Sequence, residues 1–365
     1  MVWYILNICI ITILWLNLKK DLVFSLGSNC TYKIDKNKFF CIIASINWIL
    51  LSGLRSLDVG ADTYSYKIDF FDKISNISWN ELLTSFYSKY FLGDMNLEKD
   101  LGYRIFEKVF HIFSDNYQLY LIFIAIIFFI PLARTIYKYS SNSYLSYILF
   151  SCLFYSFFAI TGLRQTIATA IVVLLGIDLI KNKKLVLFVI IILIASTIHA
   201  SAICFFPFYW LSRIKISKKT LLIYWVLIIL SFIFRNQMFS LLREVAGYEN
   251  YGYFENASGG TFLFFLLTIS LFVSIFYKKI ISGNPFINMS MNALFIACIF
   301  SSMLLINPSS MRVVQYYSIF LLYIFPQCKN IFKENNRYFF NFVCVFVLIG
   351  LLIMNNPTYS FFWQI

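Results

Sequence analysis

Six side chains in this sequence carry charge or a titratable proton at the ends of hydrophobic runs: Arg55, Asp58, Asp62, Arg164, His199 and Arg312. A guanidinium presents a planar fork of donors that suits bidentate contact with an anion. A histidine or carboxylate can take the proton of a hydroxyl once it lies within hydrogen-bond reach. Charge inside hydrocarbon is costly, so such groups mark sites that face a bundle interior or a water-filled cavity. Each also has a plainer reading. An arginine at a helix end can snorkel to the interface, Asp58 and Asp62 sit in the turn-like sequence DVGAD around Gly60, and His199 can donate to a backbone carbonyl. The chemical reading gains from coincidence, because the arginines fall together on the face that positive charge ordinarily avoids.

The elements that must position these residues follow from composition. Of 365 residues, 60% are hydrophobic, 20% aromatic and only 13% charged, and the mean hydropathy is +0.76. Soluble domains average about 45–50% apolar and about 25% charged, so this is an integral membrane protein. Its net charge of +13 comes from short Lys/Arg clusters between apolar runs, the pattern of cytoplasmic loops rather than of a nucleic-acid-binding face. The cysteines are scattered with no metal-ligand spacing and read as small core hydrophobes; no metal or cofactor is expected. The N-terminal run carries its lysines after the apolar stretch, which argues for a first span and against a cleaved signal peptide.

Apolar runs long enough to approach a bilayer crossing lie near 2–18, 38–54, 117–137, 144–160, 164–180, 185–198, 200–212, 220–236, 261–277, 289–306, 312–326 and 338–354, which predicts an all-α polytopic bundle of about 12 segments forming one integral membrane domain over 1–365. Splitting 185–212 into two segments at His199 keeps Arg213, Lys215, Lys218 and Lys219 with the other basic loops on the cytoplasmic side. The six groups named above then all lie at outer ends. The same arrangement leaves two long extracytoplasmic stretches. Residues 55–116 have apolar residues at helical spacing and are expected to form amphipathic helices at the outer interface. Residues 236–260 contain GYENYGYFENASGG, whose Tyr251 and neighbours would offer an aromatic, hydrogen-bonding surface suited to sugars.

The run GLRSLDVGADTYSYKIDF resembles the N-terminal signature of the EpsG family of exopolysaccharide proteins, related to Wzy-type polysaccharide polymerases. Further similarity lies in LGYRIFEKVFHIFSDNYQLYLI, in RQTIATAI from Arg164, in IHASAICFFP from His199 and in MRVVQYYSIFLLYIFP, which contains Arg312. The order of these motifs from Leu51 to Pro326 is more specific than any one of them. Ala61 stands where threonine is expected, and Arg104 where an acidic residue is more usual.

The resemblance implies a bacterial polymerase of the cytoplasmic membrane that joins undecaprenyl-diphosphate-linked oligosaccharide repeat units, with its active site facing outside. The chemistry of such a reaction points to Arg55, Arg164, Gln165, Arg312, Tyr66 and Tyr251 as candidate substrate-binding residues, and to His199, Asp58 and Asp62 as candidate bases. The partners would be the lipid-linked oligosaccharide, the growing polysaccharide, the bilayer and other envelope assembly proteins such as chain-length regulators, but no nucleic acid. No Asp-x-Asp sequence for a metal-bound nucleotide sugar is present, which favours a metal-independent reaction. Two other classes stay open: a flippase or exporter of the same saccharide, and a membrane acyltransferase in which His199 would be catalytic.

Overall fold

A computed structural model of the chain describes residues 1–18, 21–25, 31–94, 96–245 and 260–364. In chain order the principal helices are α1 (Val2–Asn17), α2 (Lys36–Gly53), α3 (Trp79–Phe91), α4 (Leu101–His111), α5 (Tyr117–Tyr139), α6 (Ser143–Phe154), α7 (Leu163–Lys181), α8 (Leu185–Ile198), α9 (Ala200–Leu211), α10 (Lys218–Ile233), α11 (Arg235–Val245), α12 (Gly260–Ile281), α13 (Pro285–Leu305), α14 (Met311–Ser318), α15 (Leu321–Gln327) and α16 (Glu334–Asn355). The expected all-α class holds apart from one hairpin of two short strands, β1 (Leu22–Ser25) and β2 (Thr31–Ile34), paired antiparallel with Leu22 opposite Ile34.

Local sequence explains many helix starts. The side chain of Asp35 accepts from the amides of Asn37 and Lys38 ahead of α2, and that of Asn116 accepts from Gln118 and Leu119 ahead of α5. Ser78 accepts from the amide of Glu81 to open α3, with Ser and Glu at capping-box spacing. Asn284 caps α13 in front of Pro285, and proline at the first helical position loses no hydrogen bond.

Each apolar run of the sequence becomes helix, but the lengths differ from the expected 12 crossings. Five helices among the described residues are long and apolar enough to cross a membrane: α5, α7, α12, α13 and α16. A sixth is obtained if α10 and α11, bent by 83° to one another, are taken together. The run 185–212 does break at His199, whose backbone is extended (φ −152°, ψ 110°), and the 3₁₀ turns that open α9 fold back against α8. The run 312–326 is two short helices rather than one. Two helical stretches widen into π turns, at Phe150–Phe154 with Ser156–Ile160, and at Ala170–Leu175 within α7.

The chain divides into two compact units. The first comprises Met1–Lys73, Phe110–Thr166 and Phe325–Ile365. There α2 lies along α5, and Trp48 is fully buried, donating to Ser151 Oγ (3.1 Å) and stacking on Phe129 at 6.1 Å. The second comprises Ile74–Val109 and Ile167–Ile324. Its centre is α13, which packs against α10, α12 and α14; Asn292 on this helix is fully buried and accepts from Tyr224 Oη (3.0 Å). The stretch 55–116, expected to be one outer loop, is thus shared between the units. It does form helices: α3 exposes Leu83, Tyr87 and Phe91, as an interfacial helix would. α4 is instead docked, with Tyr103, Arg104 and Glu107 buried.

Candidate functional site

In the second unit α8 ends at Ile198 with the amide of His199 donating to Ala195 O (2.8 Å). The chain then turns into α9 with the amide of Ala202 donating to His199 O (2.9 Å). Facing this break is Asp100, the residue ahead of α4. Its Oδ1 accepts from the amide of Ala200 (3.0 Å), and its Oδ2 lies 3.5 Å from His199 Nδ1. Both side chains are buried, with 8% and 7% of their surfaces exposed. Asp100 adopts a left-handed backbone (φ 60°), a conformation that aspartate tolerates better than most residues.

Gly102 explains how α4 comes close enough to place Asp100. A Cβ at that position would stand 2.1 Å from Thr197 Oγ1 and 2.8 Å from its backbone carbon, so only glycine allows this helix end to press against the end of α8. Two residues on, Arg104 is buried and donates through Nη2 (2.9 Å) and Nε (3.2 Å) to Glu98 Oε2. The basic residue at this unexpected position is thus satisfied within its own segment. Glu107 on the same helix is fully buried.

Arg312 opens α14 and is half-buried. Asn307 fixes the approach, its side chain accepting from the amide of Ser309 (2.8 Å) beside Pro308. α14 packs on the turns that follow His199, where Ser201 Oγ and Tyr316 Oη lie 3.3 Å apart and Tyr317 Oη donates to Cys204 O.

In the first unit Arg164, in the first turn of α7, donates from Nε to Tyr66 Oη (3.2 Å). Its guanidinium sits 5.4 Å from the Tyr66 ring and 5.1 Å from that of Phe70, a two-ring shelf for a cation. Tyr66 and the neighbouring Gln165 are buried. Arg55 is only 1% exposed. It donates to the carbonyls of Ser52 and Ala159 and, from Nε, to Thr63 Oγ1 (3.5 Å); Nη2 has no hydrogen-bond partner among the described residues. The backbone beside it is tied to the C-terminal segment, with the amide of Ser56 donating to Ser360 O (2.9 Å) and that of Phe362 to Leu54 O (3.0 Å). Arg55 is therefore in large part a structural knot.

Asp58 is exposed and Asp62 half-buried. They flank a turn in which Gly60 has φ +93° and the amide of Thr63 donates to Gly60 O (3.4 Å). Tyr251 lies outside the described residues.

The residues singled out from the sequence thus fall into two groups. Arg55, Asp58, Asp62, Tyr66, Arg164 and Gln165 belong to the first unit, and His199 and Arg312 to the second. Asp100 was missed. Standing ahead of an amphipathic helix it reads as an N-cap, and its partner lies about a hundred residues away. Among the described residues no cluster of His, Cys, Asp and Glu is arranged to hold a metal. The family model described as "EpsG family" matches residues 38–364. No curated protein and no solved structure matches the chain.

Proposed function

The chain belongs to the EpsG family, membrane proteins associated with exopolysaccharide biosynthesis, and from that premise we propose that it is a polysaccharide polymerase. In this reading it joins undecaprenyl-diphosphate-linked repeat units at the outer face of the bacterial cytoplasmic membrane. The observation that carries the reading is the buried His199–Asp100 pair at the end of α8. A base held by a carboxylate on its other nitrogen is the arrangement used to deprotonate a hydroxyl. The acceptor hydroxyl attacks the anomeric carbon of the donor sugar while its proton passes to His199 Nε2. Asp100 fixes the ring and stabilises the imidazolium. The bond from the anomeric carbon to the diphosphate oxygen breaks, and the electron pair leaves on that oxygen. Arg312 is the candidate in the same unit for meeting this developing charge, a role in which preorganised donors contribute most.

Arg164, on its shelf of Tyr66 and Phe70, is proposed as an anion contact of the first unit, together with Gln165. Asp58 and Asp62 are the next candidate bases. We further propose the finer topology of about 12 segments, with the Lys/Arg-rich loops inside and the His199 end outside, the helices too short for a full-thickness crossing tolerating local thinning of the bilayer.

The experiment is reconstitution of the purified protein with lipid-linked repeat units. A ladder of lengthening products that His199→Ala abolishes supports the polymerase. Movement of a single repeat unit across the bilayer with no ladder would make the protein a flippase instead.

A further inference from the structure

At the end of α8 opposite His199, about 20 Å away for a helix of 14 residues at 1.5 Å each, the second unit contains a cavity of about 440 Å³. Its floor is apolar, with Ile180, Phe286 and Met289 among the lining residues, and its rim carries Lys181, Lys183, Arg213 and Lys215. The cations come from two places, Lys181 and Lys183 from the end of α7 and the turn after it, and Arg213 and Lys215 from the connection after α9. Among the described residues none of Lys183, Arg213 and Lys215 has a carboxylate partner.

The connection after α9 is a built feature rather than a loose loop. Asn288 accepts from the amide of Ile216 (2.9 Å) and donates to Ile214 O (2.8 Å). Asn292 donates to Ser212 O (3.2 Å) and to Ile214 O (2.8 Å). Two asparagines of α13 thereby clamp the segment that carries Arg213 and Lys215. The Arg213 guanidinium is set over the Tyr209 ring at 4.1 Å, and Lys183 is fixed in a left-handed turn (φ 58°). The cavity lies where α7, a helix long and apolar enough to cross a membrane, ends and α12 gives way to α13.

We propose that this cavity is a binding site for the phosphate head group of an anionic phospholipid, the phosphate meeting the cationic rim and the first acyl carbons lying on the apolar floor. Basic pockets between membrane helices recognise lipids in this way. The proposal rests on the chain being a membrane protein and not on the polymerase reading.

The test is titration of the detergent-solubilised full-length protein with short-chain phosphatidylglycerol, short-chain phosphatidylcholine and inorganic phosphate. Phosphatidylglycerol is expected to bind saturably and phosphatidylcholine not. The double variant Arg213→Gln/Lys215→Gln should weaken phosphatidylglycerol binding about 25-fold, two cations each contributing about a factor of five at an anionic surface. Lys278→Gln/Lys279→Gln removes the same charge from exposed positions outside the cavity and should leave binding unchanged. Equal weakening in the two double variants would overturn the site in favour of diffuse charge. Inorganic phosphate competing as strongly as the lipid would overturn it in favour of a soluble anion.

Discussion

The approach of Asp100 Oδ2 to His199 Nδ1, at 3.5 Å, is longer than a good hydrogen bond, and catalytic contacts commonly tighten only when substrate is bound. Asp100→Asn keeps an oxygen for the amide of Ala200 and a residue that accepts a left-handed backbone, so the variant should fold. It removes the charge that stabilises the imidazolium, and elongation measured as product ladder should fall by roughly two to four orders of magnitude, as in His199→Ala. An Asp100→Asn protein that elongates at the wild-type rate would detach the carboxylate from the chemistry. For Arg164, lysine keeps the charge but loses the Nε–H that reaches Tyr66 and the planar face that stacks on the rings. Arg164→Lys should therefore leave less than about a tenth of the activity, whereas Tyr66→Phe, which keeps the shelf, should cost less than Arg164→Lys. His199 and Arg164 were legible in the sequence because charge in an apolar run is visible without a fold. Asp100 was not, since nothing local distinguishes a helix cap from a partner to a distant imidazole. Arg55 was legible as unusual, but its binding to the Ser52 and Ala159 carbonyls is a product of packing.

One glycine governs the meeting of α4 with α8. Gly102→Ala would force a methyl group into Thr197, and overpacking of this kind costs about 1–3 kcal/mol. The expected result is a lowered thermal midpoint together with reduced elongation, because any retreat of α4 carries Asp100 away from His199. Thr197→Ala in the same chain should recover only part of the loss, because it clears Oγ1 but leaves the Thr197 Cβ and backbone carbon within 2.8 Å of the methyl. A Gly102→Ala protein of lowered thermal midpoint that elongates at the wild-type rate would mean that α4 does not control the pair. The helices themselves were readable from hydropathy. The docking of α4 was not: its apolar face suits a bilayer surface as well as a protein surface, and only the contact between Gly102 and Thr197 decides for the protein.

For the molecule as a whole, the distribution of basic loops predicts sidedness. With the native cysteines replaced, Glu81→Cys should react with an impermeant thiol reagent added outside intact cells, while Lys219→Cys should react only after permeabilisation; both positions are exposed. Labelling of Lys219→Cys from outside would invert everything after α9 and mean that the helices on either side of His199 do not each cross the bilayer. Hydropathy and loop charge found the apolar runs and the break at His199 but missed other interruptions, because the 83° bend between α10 and α11 and the division of 312–326 into two short helices arise from packing.

The π turn within α7 bears on which changes of chain length the protein can absorb. Residues 170–175 close hydrogen bonds one residue wider than an α-helix does, so this turn already contains a surplus residue. Deleting Val173 would let it tighten to regular α-helix while Arg164 and Lys181 keep their faces. The same deletion in the regular part of α5, at Ala125, would swing every later side chain of that helix by about 100° and misplace the buried set that packs on α2. A one-residue deletion should therefore be survivable in α7 and ruinous in α5, as membrane expression of the folded protein would reveal.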